Sequence, residues 1–283
     1  MGIKYILIIL LLGLSLYAEN DPRLKILQDK SAYDTTREAI IKVLVKDKVK
    51  EVVPILIDII KNKNEKLKIR MLAINSLSTF KDPKGVFALG EVINDINEPD
   101  EIRIAAINSL GDTGTKEARE ILGESLAMSD PMGELLEKVA LNLSKIGNKD
   151  DIPYFAPVLN HKNEKLRLAT ISFLERVADK YSLPIVAFFL SDKSIEIRKR
   201  AIRMVSKLGG SSILPTLIVS LIEENDISVK EIIIEELNKV KIVPIKKKFI
   251  SELENYYYRE TDEKIKPKIK LILDKLKTGS DVK

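Results

Sequence analysis

The chain has 283 residues, 45% apolar and 31% charged, with twelve Gly, eleven Pro and a net charge of +5. That balance excludes a disordered tail and disfavours a turn-dense β fold. With no Cys in the sequence, disulfides, thiolate catalysis and Cys-ligated zinc or iron–sulfur sites are excluded as well.

The N-terminus has the form of a secretory signal. Lys4 supplies the positive charge, Tyr5 to Leu16 is apolar apart from Gly13 and Ser15, and Ala18 precedes the polar Glu19-Asn20-Asp21-Pro22. The run is too short to span a bilayer, for which about 20 apolar residues are needed. Residues 1–18 are therefore expected to direct export to the periplasm or beyond, and are set aside from the fold. Residues 19–33 are expected to form a linker with an incomplete first helix.

From Thr35 onward the sequence repeats. Ile-Asn-Ser-Leu occurs at 74–77 and again at 107–110. A register then runs Arg37, Arg70, Arg103, Leu136, Arg167, Arg198 and Lys230, in steps of 31 to 33 residues. One position before it stand Thr36, Ile69, Ile102, Leu135, Leu166, Ile197 and Val229. Four after it stand Ile41, Ile74, Ile107, Ala140, Ile171, Ile202 and Ile234, and seven after it Leu44, Leu77, Leu110, Leu143, Leu174, Val205 and Leu237. These offsets form one stripe of a 3.6-residue helix, so each repeat carries one helix with a buried apolar face.

A second helix follows each first one. Pro54, Pro153, Pro184 and Pro215 lie seventeen residues after the register, and proline suits a helix's first turn. Twenty-three after it come Ile60, Ile93, Leu126, Leu159, Leu190, Leu221 and Leu253. Turn signals separate the two helices at Lys81-Asp82-Pro83, Gly111 to Gly114, Gly147 to Asp150 and Gly209-Gly210-Ser211. Capping boxes are expected at Thr35-x-x-Glu38 and Ser228-x-x-Glu231. A lone hairpin of about 32 residues cannot bury its apolar face, so neighbours must stack. An eighth unit, with Lys266 in register and Ile265, Ile269 and Leu273 in the apolar columns, is expected to cap the array.

The apolar–Arg–x–x–Ala–Ile–x–x–Leu runs, Ile69 to Leu77 and Ile102 to Leu110, with their core repeated at Ile197 to Ile202, resemble the HEAT repeat family. The likeness is to its short HEAT-like form, found in bacterial and phycobilisome lyase-type proteins. It implies an all-α, right-handed α-solenoid of about seven to eight hairpins over residues 34–240, with a basic repeat or cap over 241–283. In that family an Asp six residues before the Arg often pairs with such basic residues along the stack. Asp192 and Asp130 match that position, while Asn64, Asn97 and His161 replace it elsewhere. The resemblance is specific for fold and nearly silent on function.

Few residues here suggest chemistry. His161, the only His, falls in an expected turn, and catalytic or metal sites commonly use His as a base or in groups. The His-Glu pairs of HEAT-like hydroxylases are absent, and Gly111-x-x-Gly114 lacks the Lys-Ser/Thr of a phosphate loop. The expectation is of a non-enzymatic protein-binding scaffold without metal or cofactor, the alternatives being an enzyme or lyase-like protein on a HEAT-like frame and, behind it, a nucleic-acid-binding HEAT-like protein. Residues 1–238 are near neutral and residues from Lys239 onward hold thirteen basic and seven acidic groups, so no nucleic-acid partner is expected. The register arginines are expected to cross-link turns at a buried edge.

Two surfaces are candidates for a protein or peptide partner. One is Lys246, Lys247, Lys248, Tyr257, Tyr258 and Arg259, whose lysines and aromatics also suit a membrane surface. Its plain alternative is a core stripe of Phe249, Leu253 and Tyr256 beneath a solvated lysine face. The other is the ridge five residues after the register, with Asn75, Asn108, Ser172 and Arg203 among Lys42, Leu141 and Glu235.

Overall fold

A computed structural model describes residues 21–128 and 133–280, and the expected signal segment lies outside them. It divides after Pro157 into an N-terminal and a C-terminal unit. Every regular element among the described residues is helical. The all-α solenoid class expected from the sequence is what the structure shows.

In the N-terminal unit α1 spans Pro22–Gln28, α2 Asp34–Lys46, α3 Val52–Lys61, α4 Leu67–Phe80, α5 Pro83–Asn94, α6 Asp100–Thr113, α7 Lys116–Ala127 and α8 Leu136–Ile146. A 3-10 segment, Lys149–Val158, follows. First helices pack on first helices, α2 on α4, α4 on α6 and α6 on α8. Second helices do likewise, α3 on α5 and α5 on α7. The C-terminal unit holds α9 Glu164–Val177, α10 Leu183–Phe188, α11 Ile195–Gly209, α12 Leu214–Glu223, α13 Ile227–Lys239, α14 Lys247–Arg259 and α15 Ile265–Ser280. There α9 packs on α11, α11 on α13 and α13 on α15, with α12 on α14 in the other row.

The sequence columns are the core. Every residue four or seven after the register is buried, and so is every residue one before it except the half-buried Thr36. Burying a Leu or Ile side chain stabilises by about 1.5–3 kcal/mol, and no hairpin could bury both of its faces alone. α1 takes the place of a second helix, packing on α2 and α3 with Leu24 and Leu27 buried. The eighth register helix is present as α15, with Ile265, Ile269 and Leu273 buried.

Glycine and proline act where the chain turns. Lys81 and Gly114 take left-handed backbone at φ 51° and 61° and end α4 and α6, the conformation that often closes a helix. Gly111 belongs to α6 and not to the turn after it. A Cβ there would stand 2.2 Å from Asn142 Oδ1, so only glycine lets α8 come this close.

Neither capping box forms. The first helix starts at Asp34 after Tyr33, whose side chain caps nothing, and Thr35 lies inside it. Asp226, not Ser228, caps α13, accepting from the Val229 N–H at 3.1 Å. The Ser228 hydroxyl instead donates to Asp226.

Candidate functional site

The register arginines form a buried ladder at the turns between repeats. Arg37, Arg70, Arg103 and Arg167 are each no more than 6% exposed. Each sits one turn inside its helix, where it reaches the preceding backbone, and Arg37, Arg70 and Arg167 also reach an acid at the start of the next repeat. Arg70 donates from Nε and Nη2 to the Ile60 carbonyl at 3.1 and 2.7 Å, and from Nη2 to Glu98 at 2.7 Å. Arg37 bonds Leu27 and grips both oxygens of Glu65. Arg103 donates to the Ile93 carbonyl at 2.9 Å. In the C-terminal unit Arg167 forks onto Asp192 at 2.7 and 3.0 Å, and Arg198 onto Glu224 at the same distances. Lys230 closes the series on Glu260 at 2.7 Å, where the Tyr256 hydroxyl donates to the same oxygen at 2.5 Å.

The pairing runs along the stack, as the family resemblance implied: the Asp192 carboxylate binds Arg167 of the repeat before, not Arg198 six residues on. Arg198 takes only the Asp192 backbone carbonyl, at 2.8 Å. The ladder is also fuller than the scattered Asp residues suggested, because Glu65, Glu98, Glu224 and Glu260 serve as acids. Their positions, five or six residues before the next register residue, are the signal that could have found them. Asp130 lies outside the described residues, and Leu136 has no polar group to offer.

The electrostatics follow from these contacts. The hydrogen bond from Arg37 is the main reason Glu65 stays below the usual carboxylate range. Burial pushes Glu224 up, but the Arg198 bond and the Asp226 N–H together bring it below its ordinary value. Glu260 is likewise pushed up by burial and is brought down to about 2 by Lys230, Tyr256 and the Asp262 N–H. Such carboxylates stay ionised at neutral pH. Open grooves lie along the ladder, one of about 630 Å³ beside Asp192, Arg198, Glu223 and Glu224 and one of about 500 Å³ beside Tyr33, Arg37 and Glu65. Among the described residues no group of three or more acids and His is arranged to hold a metal ion. His161 is part of a turn: its Nδ1 accepts the Asn163 N–H at 3.1 Å and its carbonyl accepts Arg167 at 2.7 Å.

The candidate ridge is a surface. Lys42, Asn75, Asn108, Leu141, Ser172, Arg203 and Glu235 are all exposed. In the N-terminal unit Asn75 and Asn108 project from the packed pair α4 and α6, between the half-buried Met71, Leu72 and Ile104. The Asn108 carbonyl oxygen accepts from Asn142 Nδ2 at 3.0 Å. In the C-terminal unit the ridge is occupied by its own charges. Arg200 is paired with Glu175 and donates to the Ser172 hydroxyl at 2.9 Å. Lys239, with a smaller contribution from Arg203, holds Glu235 below its ordinary pKa.

The second candidate surface is split by α14. Lys246, Lys247 and Lys248 are exposed at its start, and Tyr258 and Arg259 at its end. Tyr257 is half-buried, with the Lys266 ammonium 5.4 Å from its ring. The buried stripe beneath is Ile250, Leu253 and Tyr256, while Phe249 is only half-buried.

Stacked helical hairpins tied by a buried arginine ladder define an α-helical repeat protein. The model of HEAT repeats matches residues 88–172 and 152–238. These ranges cover more than half of the chain, and the chain belongs to the HEAT repeat family. No curated protein matches it by sequence. Among solved structures it is similar to the complex of CpcE and CpcF of phycocyanin lyase from Nostoc, at 18% identity and a TM-score of 0.41, covering 94% of this chain and 96% of that one. It is similar to human deoxyhypusine hydroxylase at 15% identity and a TM-score of 0.40, covering 92% and 96%. It is also similar to YibA of Escherichia coli at 19% identity and a TM-score of 0.46, covering 91% and 92%.

Two of these three are enzymes by name, a lyase and a hydroxylase. That finding overturns the expectation of a chain that performs no chemistry. The expectation leaned on a lone His and absent Cys, which remove only part of the catalytic repertoire and leave Asp, Glu, Lys and Tyr. At these identities the likenesses speak of fold and assign no activity here.

Proposed function

We propose that the chain is an exported HEAT-repeat protein that binds a protein partner along the first-helix ridge of its N-terminal unit. The observation that carries this reading is the pair of exposed, uncharged amides at Asn75 and Asn108 on packed neighbouring helices. Asn75 is exposed, and the Asn142 contact orients the Asn108 amide. Two side-chain amides on packed neighbouring helices, set among partly exposed Met71, Leu72 and Ile104, can both donate to and accept from a partner's main chain. They do so without the cost of desolvating a charge. Export is supported by Lys4, the apolar run Tyr5–Leu16 and Ala18.

Photo-crosslinking from positions 75 and 108 in the native cell tests the binding. A reproducible protein adduct is expected, and it should vanish in Asn75→Arg/Asn108→Arg while the helical content stays unchanged. An absence of any reproducible adduct would refute the reading. Export is tested by fractionation: the chain should leave the cytoplasm without residues 1–18, and a cytoplasmic chain retaining them would rule it out.

A further inference from the structure

The second helices of the C-terminal unit carry a surface that the ridge does not explain. No charged residue lies between Lys180 and Asp192, or between Lys207 and Glu223. Runs of this kind are ordinarily buried. Here Tyr181 is 79% and Phe188 50% exposed. Pro184 is exposed, and Ile185 and Val219 are half-buried. On α12 the outward positions are Thr216, exposed, and Pro215 and Ser220, half-buried, with no charge among them. α10 packs on α11 and α12 on α13, and Ser191, just after α10, and Ser220 of α12 line one groove.

α12 packs in turn on α14. On that helix Lys247 and Lys248 hold the place in the repeat that Pro184 and Ile185 hold in α10. The three lysines stand at the positive end of the helix dipole, with no acid in the first turn to offset them. The acids beside this face are Glu252, 3.6 Å from Lys248, the exposed Glu223, and Asp179, whose carboxylate accepts the Tyr181 N–H at 2.9 Å. Tyr258, 71% exposed, and Arg259 complete it.

We infer that this face docks the chain on an anionic lipid surface. The charges are complementary: exposed lysines meet phosphate headgroups, while aromatic rings with a polar tip settle at the boundary of headgroup and acyl chain. The uncharged face of α10 and α12 beside them tolerates the apolar layer that a charged face would resist. The surface is separate from the asparagine ridge and serves a different kind of contact.

Flotation of the full chain with vesicles tests the inference. Wild type should float with equal parts phosphatidylcholine and phosphatidylglycerol, and not with phosphatidylcholine alone. Lys246→Gln/Lys247→Gln/Lys248→Gln should weaken partitioning about a hundredfold, from about fivefold per lysine. Tyr181→Ser/Phe188→Ser should weaken it about tenfold, with circular dichroism unchanged in both variants. Asn75→Arg/Asn108→Arg should float as wild type does, which separates this result from the fate of the ridge. Wild type remaining in the soluble fraction with the mixed vesicles would overturn the inference, as would a triple lysine variant that binds normally. Loss of a soluble protein complex, in place of vesicle binding, from Tyr181→Ser/Phe188→Ser would overturn it in favour of a protein partner.

Discussion

In the N-terminal unit Arg37, Arg70 and Arg103 reach back ten residues, to the carbonyls of Leu27, Ile60 and Ile93 at the ends of second helices. In the C-terminal unit the reach is five or six. Arg167 takes the carbonyls of His161 and Lys162, Arg198 those of Asp192 and Lys193, and Lys266 that of Glu260. For the arginines the difference follows the length of the preceding repeat, whereas Lys266 reaches six residues back after a step of 36. Steps of 33 residues, Arg37 to Arg70 to Arg103, hold full second helices, Val52–Lys61 and Pro83–Asn94. The step of 31 from Arg167 to Arg198 holds only the six-residue Leu183–Phe188 between 3-10 turns. Two residues fewer change which unpaired carbonyl lies within reach, and the same arginine column closes the seam in both units. What the repeat preserves is the need to satisfy turn carbonyls and a buried acid together.

The largest effect that can break this comparison is loss of a fully buried rung. Arg70→Ala leaves Glu98 charged and buried, and Glu98 Oε2 has no hydrogen-bond partner among the described residues even in the intact chain. The expected cost is about 3–5 kcal/mol in urea unfolding of the full chain. Arg198, whose side chain is 15% exposed against 4% for Arg70, should cost less, about 1–3 kcal/mol. Equal losses would show that the two reach patterns are energetically the same.

Gly111→Ala probes a contact confined to the N-terminal unit. The new methyl would meet Asn142, so a loss of about 1–3 kcal/mol is expected. Asn142→Ala in the same chain should recover much of it, because the clash is with that side chain. A double variant no more stable than Gly111→Ala alone would place the cost elsewhere.

The columns one before, four after and seven after the register were legible because a stripe buried in every repeat must be apolar. The ladder acids were not, because a carboxylate in a turn has no periodic partner within its own helix. Glu65 and Glu98 stand five residues before the next arginine, whereas Asp192 and Glu224 stand six before theirs, and a fixed spacing misses one set or the other. The caps failed for a related reason. Ser228 and Asp226 are both good capping residues, and the choice between them rests on where the chain leaves α12. The ridge could be placed from spacing alone, but the filling of its C-terminal part by the Arg200–Glu175 pair depends on contacts between helices.

The smallest expected effect sharpens the comparison at the end of the ladder, where Lys230 replaces Arg and Tyr256 supplies the missing donor. A lysine cannot fork onto a carboxylate, so this rung holds its acid with two separate side chains. Glu260 is then held at about 2 in the folded chain, against an ordinary value of 4.5. A depressed acid contributes its stability fully above the unfolded value, and the contribution is lost as pH falls through the folded one. The rung should therefore weaken between pH 4.5 and about 2, by at most about 3 kcal/mol. Glu260→Gln should flatten stability over that window, as followed by urea unfolding at several pH values. Tyr256→Phe removes one of the two side-chain donors and should shrink the same slope in part. A Tyr256→Phe chain whose acid dependence matches wild type would mean that Lys230 and the Thr261 and Asp262 N–H groups hold Glu260 without it, and that the tyrosine only fills space beneath the lysine.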